Sequence, residues 1–112
     1  MPAAYSNLVL EQGTTFSTTI TIDDVYGDVF DLSGFSARAE MRKSYYSANA
    51  TAVFTTHING TNGIITLELT PQATANIAPG RYVYDAIIVD SIRNITTRVL
   101  EGIIEVTPRV TR

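Results

Sequence analysis

Several residue types are absent or rare in this chain of 112 residues, and each absence excludes a kind of site. Cysteine is absent, which excludes disulfides and thiolate metal ligands. Tryptophan is also absent, and the single histidine, His57, cannot form a histidine metal cluster. The sequence contains no Gly-x-Ser-x-Gly segment of the kind that holds a hydrolase nucleophile. We therefore expect the chain to work without a cofactor.

Long apolar runs and basic charge are missing as well. No run approaches the ~20 apolar residues of a membrane-spanning helix, and the N-terminus lacks the basic and apolar regions of a secretory signal. The formal net charge is −3 and the sequence pI is about 4.9, whereas nucleic-acid binders are usually basic. The sequence thus predicts neither a membrane nor a nucleic acid as partner.

Carboxylates are present, but their pattern does not predict an active site. Glycoside hydrolysis needs two carboxyl groups roughly 5–10 Å apart in a cleft. The glutamates fall at outward positions of predicted strands, and a small sandwich offers no cleft between them: Glu40, Glu68, Glu101 and Glu105. We therefore expect no enzymatic activity.

β-Branched residues dominate what is present. Threonine occurs 16 times, isoleucine 12 times and valine 9 times, which together make about a third of the chain. Such side chains are stiff at χ1 and fit a pleated strand better than a helix. The length allows one domain, so we expect residues 1–112 to form a single β-sandwich.

The spacing of turns and the alternation of apolar residues define the predicted strands. Turn residues recur every 8 to 14 residues, as in sandwiches and barrels. Apolar and polar residues alternate over residues 14–22, 35–42 and 64–70, which places one side of each strand in the core. Together these patterns predict an all-β, Ig-like antiparallel β-sandwich of seven to eight strands, with one short helical turn near residues 71–77.

Two local signals lie on either side of that helical turn. Thr70 and Pro71 have the form of a helix N-cap and a first helical residue. After Gly80, Tyr82 occupies the position of the tyrosine that anchors the E–F corner of immunoglobulin-type domains through its hydroxyl group. Tyr84 then takes the core position that a cysteine holds in antibody domains.

Residues 81–90 form the strongest predicted strand, because both of its faces are apolar. Val83, Ile87 and Val89 lie on the face opposite the core and need a cover, which can be a loop, a terminus or another subunit. We therefore treat these three residues as candidate interaction residues. Gly102, in the middle of the last strand, predicts a β-bulge.

Three further groups are candidates for contacts or for a metal. Tyr45 and Tyr46, in the loop of residues 43–51, either bind a protein or sugar or pack on the edge of the sandwich. Residues 108–112 form an extended basic tail that can dock on the next subunit through Arg109 and Arg112. Four aspartates around Gly27 are either calcium ligands or turn-forming residues, although their spacing does not match the twelve-residue calcium loop: Asp23, Asp24, Asp28 and Asp31.

Four segments of the chain have a distinctive order and spacing: EQGTTF at residues 11–16, DLSGFSAR at 31–38, GRYVYD at 80–85, and LEG at 100–102 followed by TPRVTR at 107–112. Together they resemble a family of small structural proteins of tailed bacteriophages. The resemblance extends more distantly to the N-terminal sandwich domain of phage baseplate upper proteins and covers nearly the whole chain.

This resemblance implies a non-enzymatic virion structural protein of the tail, neck or baseplate. It would be made in the host cytoplasm and reside in the virion, with other virion proteins and copies of itself as partners. Two alternatives stay open: a capsid decoration protein, and a module that binds a carbohydrate or host receptor such as a surface glycan. The family has no catalytic motif, so no site residue is carried over from it.

Overall fold

The computed structural model describes residues 4–22 and 31–110. Within these residues the chain forms strands almost throughout, with one helix of five residues. None of the described helical residues forms a helix long and apolar enough to cross a membrane. The elements are β1 Ala4–Tyr5, β2 Leu8–Glu11, β3 Phe16–Thr21, β4 Phe35–Arg42, β5 Ala52–Val53, β6 Thr55–Asn59, β7 Ile64–Leu69, α1 Pro71–Ala75, β8 Gly80–Asp90 and β9 Ile95–Thr107.

The strands form two sheets that pack face to face. The larger sheet has the order β1-β9-β8-β4-β5, with β2 also on β9, and the smaller sheet has the order β3-β7-β6. This is the arrangement of an immunoglobulin-like sandwich, in which strands B, E and D face strands C, F and G. The structure thus confirms the all-β, Ig-like sandwich that the sequence predicts.

The strand count depends on two interruptions. Strands β1 and β2 pair with β9 in one continuous register, since Ala4 lies opposite Leu100 and Leu8 opposite Ile104. Strands β5 and β6 flank Phe54 and belong to different sheets, so the chain crosses from one sheet to the other at this residue. Counting each interrupted pair once leaves seven strands in the described residues, in agreement with the sequence prediction.

The first strand differs from the others in direction. Strands β1 and β2 pair with β9 in parallel, whereas the other pairs in both sheets are antiparallel. Alternation within a strand carries no information about the direction of its neighbour, so the sequence could not predict this. The parallel pairing places β1 and β2 beside β9 at one edge of the larger sheet.

The core lies between the sheets and follows the predicted alternation. Strand β7 buries Ile65, Leu67 and Leu69 and leaves the residues between them partly exposed. Strand β8, which lies between β4 and β9, is the centre of the larger sheet. Its inward face is buried in full: Tyr82, Tyr84, Ala86 and Ile88.

The helix start and the tyrosine corner are both confirmed. The Ala73 N–H donates to the Thr70 hydroxyl at 3.2 Å, and Pro71 is the first helical residue. The Tyr82 hydroxyl donates to the carbonyl of Ala78 at 2.7 Å, four residues upstream. This bond anchors the corner between β7 and β8 in the way that the sequence predicts.

The expected bulge at Gly102 is wrong. The register of β9 against β8 shifts near Val99, because Ala86 lies opposite Leu100 while Ile87 lies opposite Arg98. Gly102 instead lies where the Ser6 carbonyl meets β9, and a Cβ atom there would overlap that oxygen. The missing side chain of Gly102 allows the backbone at Ser6 to approach β9 closely, and it does not mark the extra residue of a β-bulge.

Candidate functional site

The outer face of the larger sheet carries the main cluster of charged side chains. Because side chains alternate along a strand, β4, β8 and β9 bury one set and present the other on this face. The register places Glu40 opposite Asp85 and Asp85 opposite Glu101. The charged residues of the cluster are Arg38, Glu40 and Arg42 from β4, Asp85 from β8, and Arg98 and Glu101 from β9.

These charges neutralise one another. Arg42 Nη2 lies 2.9 Å from Glu40 Oε2. Arg98 contacts two carboxylates, with 3.4 Å from its Nε to Asp85 Oδ2 and 3.1 Å from its Nη1 to Glu101 Oε2. Exposed pairs of this kind contribute only ~0–1 kcal/mol each to stability. Their main consequence is a face without a strong net charge of either sign.

Asp85 lies on the central strand of this cluster, and its carboxyl group has a perturbed pKa. Burial raises the pKa of the Asp85 carboxyl above its ordinary value, and the carboxylates of Glu40 and Glu101 act in the same direction. The guanidinium groups of Arg98 and Arg42 act against this shift and lower the pKa of Asp85. Burial and the two carboxylates together outweigh the two guanidinium groups, so the net shift of the Asp85 pKa is upward.

An open groove of about 330 Å³ runs across these residues. Val83 and Asp85 line it from β8, Glu40 and Arg42 from β4, and Tyr45 from the loop that follows β4. Arg42 Nη1 also donates to the carbonyl of Ser47 at 3.0 Å, which ties that loop to the strand. The groove therefore combines an aromatic ring with hydrogen-bonding groups of both charges.

The predicted interaction residues divide between this groove and other places. Tyr45 and Val83 line the groove, and Ile87 lines a smaller concavity next to it. Val89 lies further along the same outward face of β8 and is half-buried. Tyr46 projects away, with 96% of its surface exposed. None of the charged residues around the groove was predicted to belong to an interaction site, because they come together only through the register of three strands.

The predicted C-terminal tail lies at another position. The Arg109 N–H donates to Gln12 Oε1 at 3.3 Å, and the Arg109 side chain packs over Gly13. Arg109 thus contacts its own chain, on the turn between β2 and β3. Arg112 lies outside the described residues.

Of the four aspartates in the predicted calcium site, the structure describes one, Asp31. Asp31 Oδ1 accepts a hydrogen bond from the Ser33 N–H at 2.9 Å, and the bonds from Ser33 lower the pKa of this exposed carboxyl. Asp23, Asp24 and Asp28 lie outside the described residues. Over residues 4–22 and 31–110, no group of three or more histidine, aspartate or glutamate side chains is close enough to hold a metal ion.

The only histidine lies on the other sheet. His57 Nε2 is 3.0 Å from Glu68 Oε1, and both side chains are exposed on the outer face of the smaller sheet. They connect neighbouring strands β6 and β7. This cross-strand contact is a surface pair.

Comparison with known proteins shows the fold and nothing beyond it. No protein family matches the sequence, and no curated protein is similar to it. Solved structures do match, among them the crystal structure of Listeria monocytogenes InlP, with a TM-score of 0.53 and 15% identity. The match covers 94% of this chain and 28% of that chain, so this chain spans little more than a quarter of InlP. The class of protein that these observations define is a β-sandwich protein with immunoglobulin-like topology.

Proposed function

We propose that the chain is a non-enzymatic structural protein of a bacteriophage virion, in the tail, neck or baseplate. It acts there as a rigid subunit bound to other virion proteins and to copies of itself. The phage assignment rests on the four sequence segments described above. The structural role rests on the outer face of the larger sheet.

The outer face of the larger sheet supports the proposal because a neighbouring subunit can cover it at little cost in free energy. Val83 lies opposite Ile103 on the outward side, and both are half-buried, as is Ile87. Acidic and basic side chains beside them are already paired with one another. Val83, Ile87 and Ile103 thus form an apolar strip that a neighbouring subunit can cover without burying an unpaired charge. An unpaired buried charge is the most costly event at an interface.

The packing within the chain supports a rigid role. Every buried side-chain nitrogen or oxygen of the described residues has a hydrogen-bond partner. Three bonds connect segments that are far apart in sequence: Tyr84 to Ser6 at 2.5 Å, Gln12 to Ile77 at 3.0 Å, and Thr74 to Thr14 at 2.8 Å. A subunit held in one shape loses little conformational entropy on assembly.

Mass spectrometry of purified phage particles tests the virion assignment. Particles released from the organism that carries the gene are banded by density, and their proteins are digested and identified. We expect peptides of this chain in the particle band at a fixed ratio to the other structural proteins. Their absence from the band, with presence in the cell lysate, would overturn the assignment. Gold-labelled antibody on intact particles then distinguishes the tail, neck and baseplate from a decorated capsid.

A pair of matched variants tests the assembly face. Val83→Lys places a charge in the apolar strip, and Thr55→Lys places the same charge at an exposed position on β6 of the other sheet. We expect Val83→Lys to reduce incorporation into particles at least about tenfold, which corresponds to ~1.4 kcal/mol. Equal incorporation of the two folded variants would exclude this face.

A second function, binding of a host glycan, is favoured by the groove itself. Tyr45 lines the groove together with the carboxylates of Glu40 and Asp85 and the guanidinium of Arg98. Sugars bind through ring stacking and through hydroxyl groups that donate and accept. Glycan-array binding that Tyr45→Ala abolishes and Tyr46→Ala preserves would support this function, and no binding above background would exclude it.

A further inference from the structure

Among residues 4–22 and 31–110, the smaller sheet ends in an edge strand that no other segment covers. Strand β3 is six residues long and contains no charged residue, proline or glycine. It pairs with β7 in unbroken register from Phe16–Leu69 to Thr21–Ile64. Sheet edges in native proteins are normally protected by charges, proline, bulges or short length, because an open edge accepts another strand. Strand β3 has none of these features.

The other sheet edges among the described residues are protected. Strand β5 has only two residues, and the β1–β2 edge is interrupted between Tyr5 and Leu8. Strand β6 approaches the larger sheet, since the Thr56 hydroxyl donates to the carbonyl of Ala37 on β4 at 3.0 Å. Strand β3 is therefore the long, uncharged edge on which a further strand fits.

The direction of the backbone groups on β3 follows from the end of its pairing with β7. The Ile22 N–H donates to the carbonyl of Gly63 at 2.8 Å, directly after the strand. Successive residues of an antiparallel strand point their N–H and C=O groups to alternate sides. Phe16, Thr18 and Ile20 thus pair with β7, while the backbone groups of Ser17, Thr19 and Thr21 point to the open edge. Within the described part of the chain these groups have no partner.

We propose that β3 pairs in antiparallel orientation with β3 of a second copy, about a two-fold axis at Thr19. Thr19 then lies opposite Thr19 of the second copy, and Ser17 lies opposite Thr21. In this register all the free N–H and C=O groups of the three residues bond across the axis. The two three-stranded sheets become one six-stranded sheet. The inference stands apart from the virion proposal, because it concerns the other sheet.

The side chains favour a second copy as the occupant. The outward residues of β3 are Ser17, Thr19 and Thr21, and all three are exposed. On the two-fold axis they meet only hydroxyl side chains, which form favourable cross-strand pairs. Glu68 lies beside Ser17 on β7, so it shares a row with Thr21 of the second copy and stays apart from the other Glu68. The edge is thus complementary to itself in hydrogen bonding and in charge.

The expected association is weak and depends on concentration. A six-residue strand is only ~20 Å long, and the contact is smaller than the ~1,200–2,000 Å² of stable dimers. We therefore expect monomer at about 10 μM and a growing dimer fraction towards about 1 mM. Sedimentation velocity of the purified full chain measures this fraction directly.

Amide hydrogen exchange followed by NMR locates the contact. We expect the amides of Thr18 and Ile20 to exchange slowly at every concentration, because they are paired with β7. The amides of Ser17, Thr19 and Thr21 should exchange quickly in the monomer and at least about tenfold more slowly at high concentration. An interface elsewhere on the molecule would leave these three amides unprotected.

A charge exchange at the two-fold axis gives the sharpest test. Thr19→Lys and Thr19→Glu each place like charges opposite one another, so each variant alone should stay monomeric. Their equimolar mixture should associate again, at least as tightly as the unmodified chain, because opposite charges then face each other. The matched control Thr55→Lys carries the same charge on β6, at the other edge of the same sheet, and should dimerise like the unmodified chain.

Three outcomes would overturn the inference: a chain that is monomeric up to about 1 mM, association that Thr19→Lys leaves unchanged, or loss of association in Thr55→Lys alone. Circular dichroism and urea unfolding show whether each variant is folded. If the Thr19 variants unfold, the double variant Ser17→Lys with Thr21→Lys, mixed with the double variant Ser17→Glu with Thr21→Glu, repeats the exchange, because residue 17 of one copy faces residue 21 of the other. Association that needs a different protein would assign the edge to a foreign strand and also overturn the proposal.

Discussion

Thr74 is the one buried polar side chain among the described residues. Its hydroxyl accepts from the Gly13 N–H at 3.1 Å and donates to the Thr14 carbonyl at 2.8 Å. One side chain on α1 thus satisfies two backbone groups of the turn between β2 and β3. Nothing in the local sequence distinguishes Thr74 from the other threonines, because its partners are 60 residues away.

Replacement of this hydroxyl tests its contribution to stability. Thr74→Val keeps the shape and leaves the Gly13 N–H and the Thr14 carbonyl without their partner, so we expect the free energy of unfolding to fall by about 1–3 kcal/mol. Urea unfolding measures the change. The exposed Thr96 provides the control, since Thr96→Val removes a hydroxyl that faces water and should change stability by less than about 0.5 kcal/mol. Equal effects at both positions would contradict the assigned role.

Asp85 makes stability depend on pH in a particular direction. Burial raises the pKa of its carboxyl above the ordinary 3.8, so the folded chain binds this proton more tightly than the unfolded chain. The free-energy cost of keeping the Asp85 carboxyl ionised in the folded chain is fully present above the folded-state pKa. It disappears as the pH falls below the ordinary value. Asp85→Asn removes this dependence. We therefore expect the stability of Asp85→Asn relative to the unmodified chain to decrease as the pH falls from 7 towards 3.

Asp31 makes the free energy of unfolding depend on pH in the opposite direction. Hydrogen bonds from Ser33 lower the pKa of Asp31, so its contribution is present above the ordinary value and is lost as pH falls through the folded-state pKa. Relative to the unmodified chain, Asp31→Asn should therefore gain stability as the pH falls. Urea unfolding at several pH values compares the two variants. Curves that move in the same direction would contradict the assignment for the variant that departs from its expected direction.

At the scale of single elements, the central strand β8 anchors the N-terminal segment across β9. The Tyr84 hydroxyl donates to the Ser6 carbonyl at 2.5 Å, and burial raises the pKa of this phenol to about 12. The Tyr84 ring reaches Ser6 beside Gly102, whose missing side chain leaves room for both groups. The parallel strand at the sheet edge therefore depends on a glycine in its neighbour.

Gly102→Ala tests this dependence. The new methyl group would overlap the Ser6 carbonyl, which is backbone and cannot move without disturbing the pairing of β1 and β2 with β9. We expect a loss of about 2–3 kcal/mol in the free energy of unfolding, with faster hydrogen exchange in residues 4–11. Ser36→Ala, an exposed outward position on β4, should change neither quantity. A fully stable Gly102→Ala variant with protected N-terminal amides would contradict this geometry.

At the scale of the whole molecule, the tail joins stability to assembly. Arg109 contacts Gln12 and Gly13 of its own chain, so deletion of residues 108–112 should lower the free energy of unfolding by about 0.5–1.5 kcal/mol without unfolding the protein. The virion proposal also predicts that this deletion weakens assembly. Urea unfolding and incorporation into particles measure the two effects separately. Unchanged incorporation would remove the tail from the assembly interface and leave its contact with Gln12 intact.

Periodicity and caps sufficed for much of the fold because they are local. The alternation in residues 64–70 predicts the buried side of β7, Thr70 and Pro71 predict the start of α1, and the spacing of Gly80 and Tyr82 predicts that the Tyr82 hydroxyl anchors the corner. Each of these features depends on residues a few positions apart, so the chain itself brings the partners together. The candidate site was predicted only in part: Tyr45 and Val83 were identified, and the ion pairs around them were not.

The sequence by itself determined that the chain forms strands, which side of each strand is apolar, and where the chain turns. Only the tertiary structure decided which strands are neighbours, that the first strand runs parallel to the last, that Gly102 makes room for Ser6, and that β3 has an open edge within the described part of the chain. The physical reason is that a strand's side-chain alternation is set by its own residues. Its partners, its direction relative to them and its register depend on how distant segments share one core.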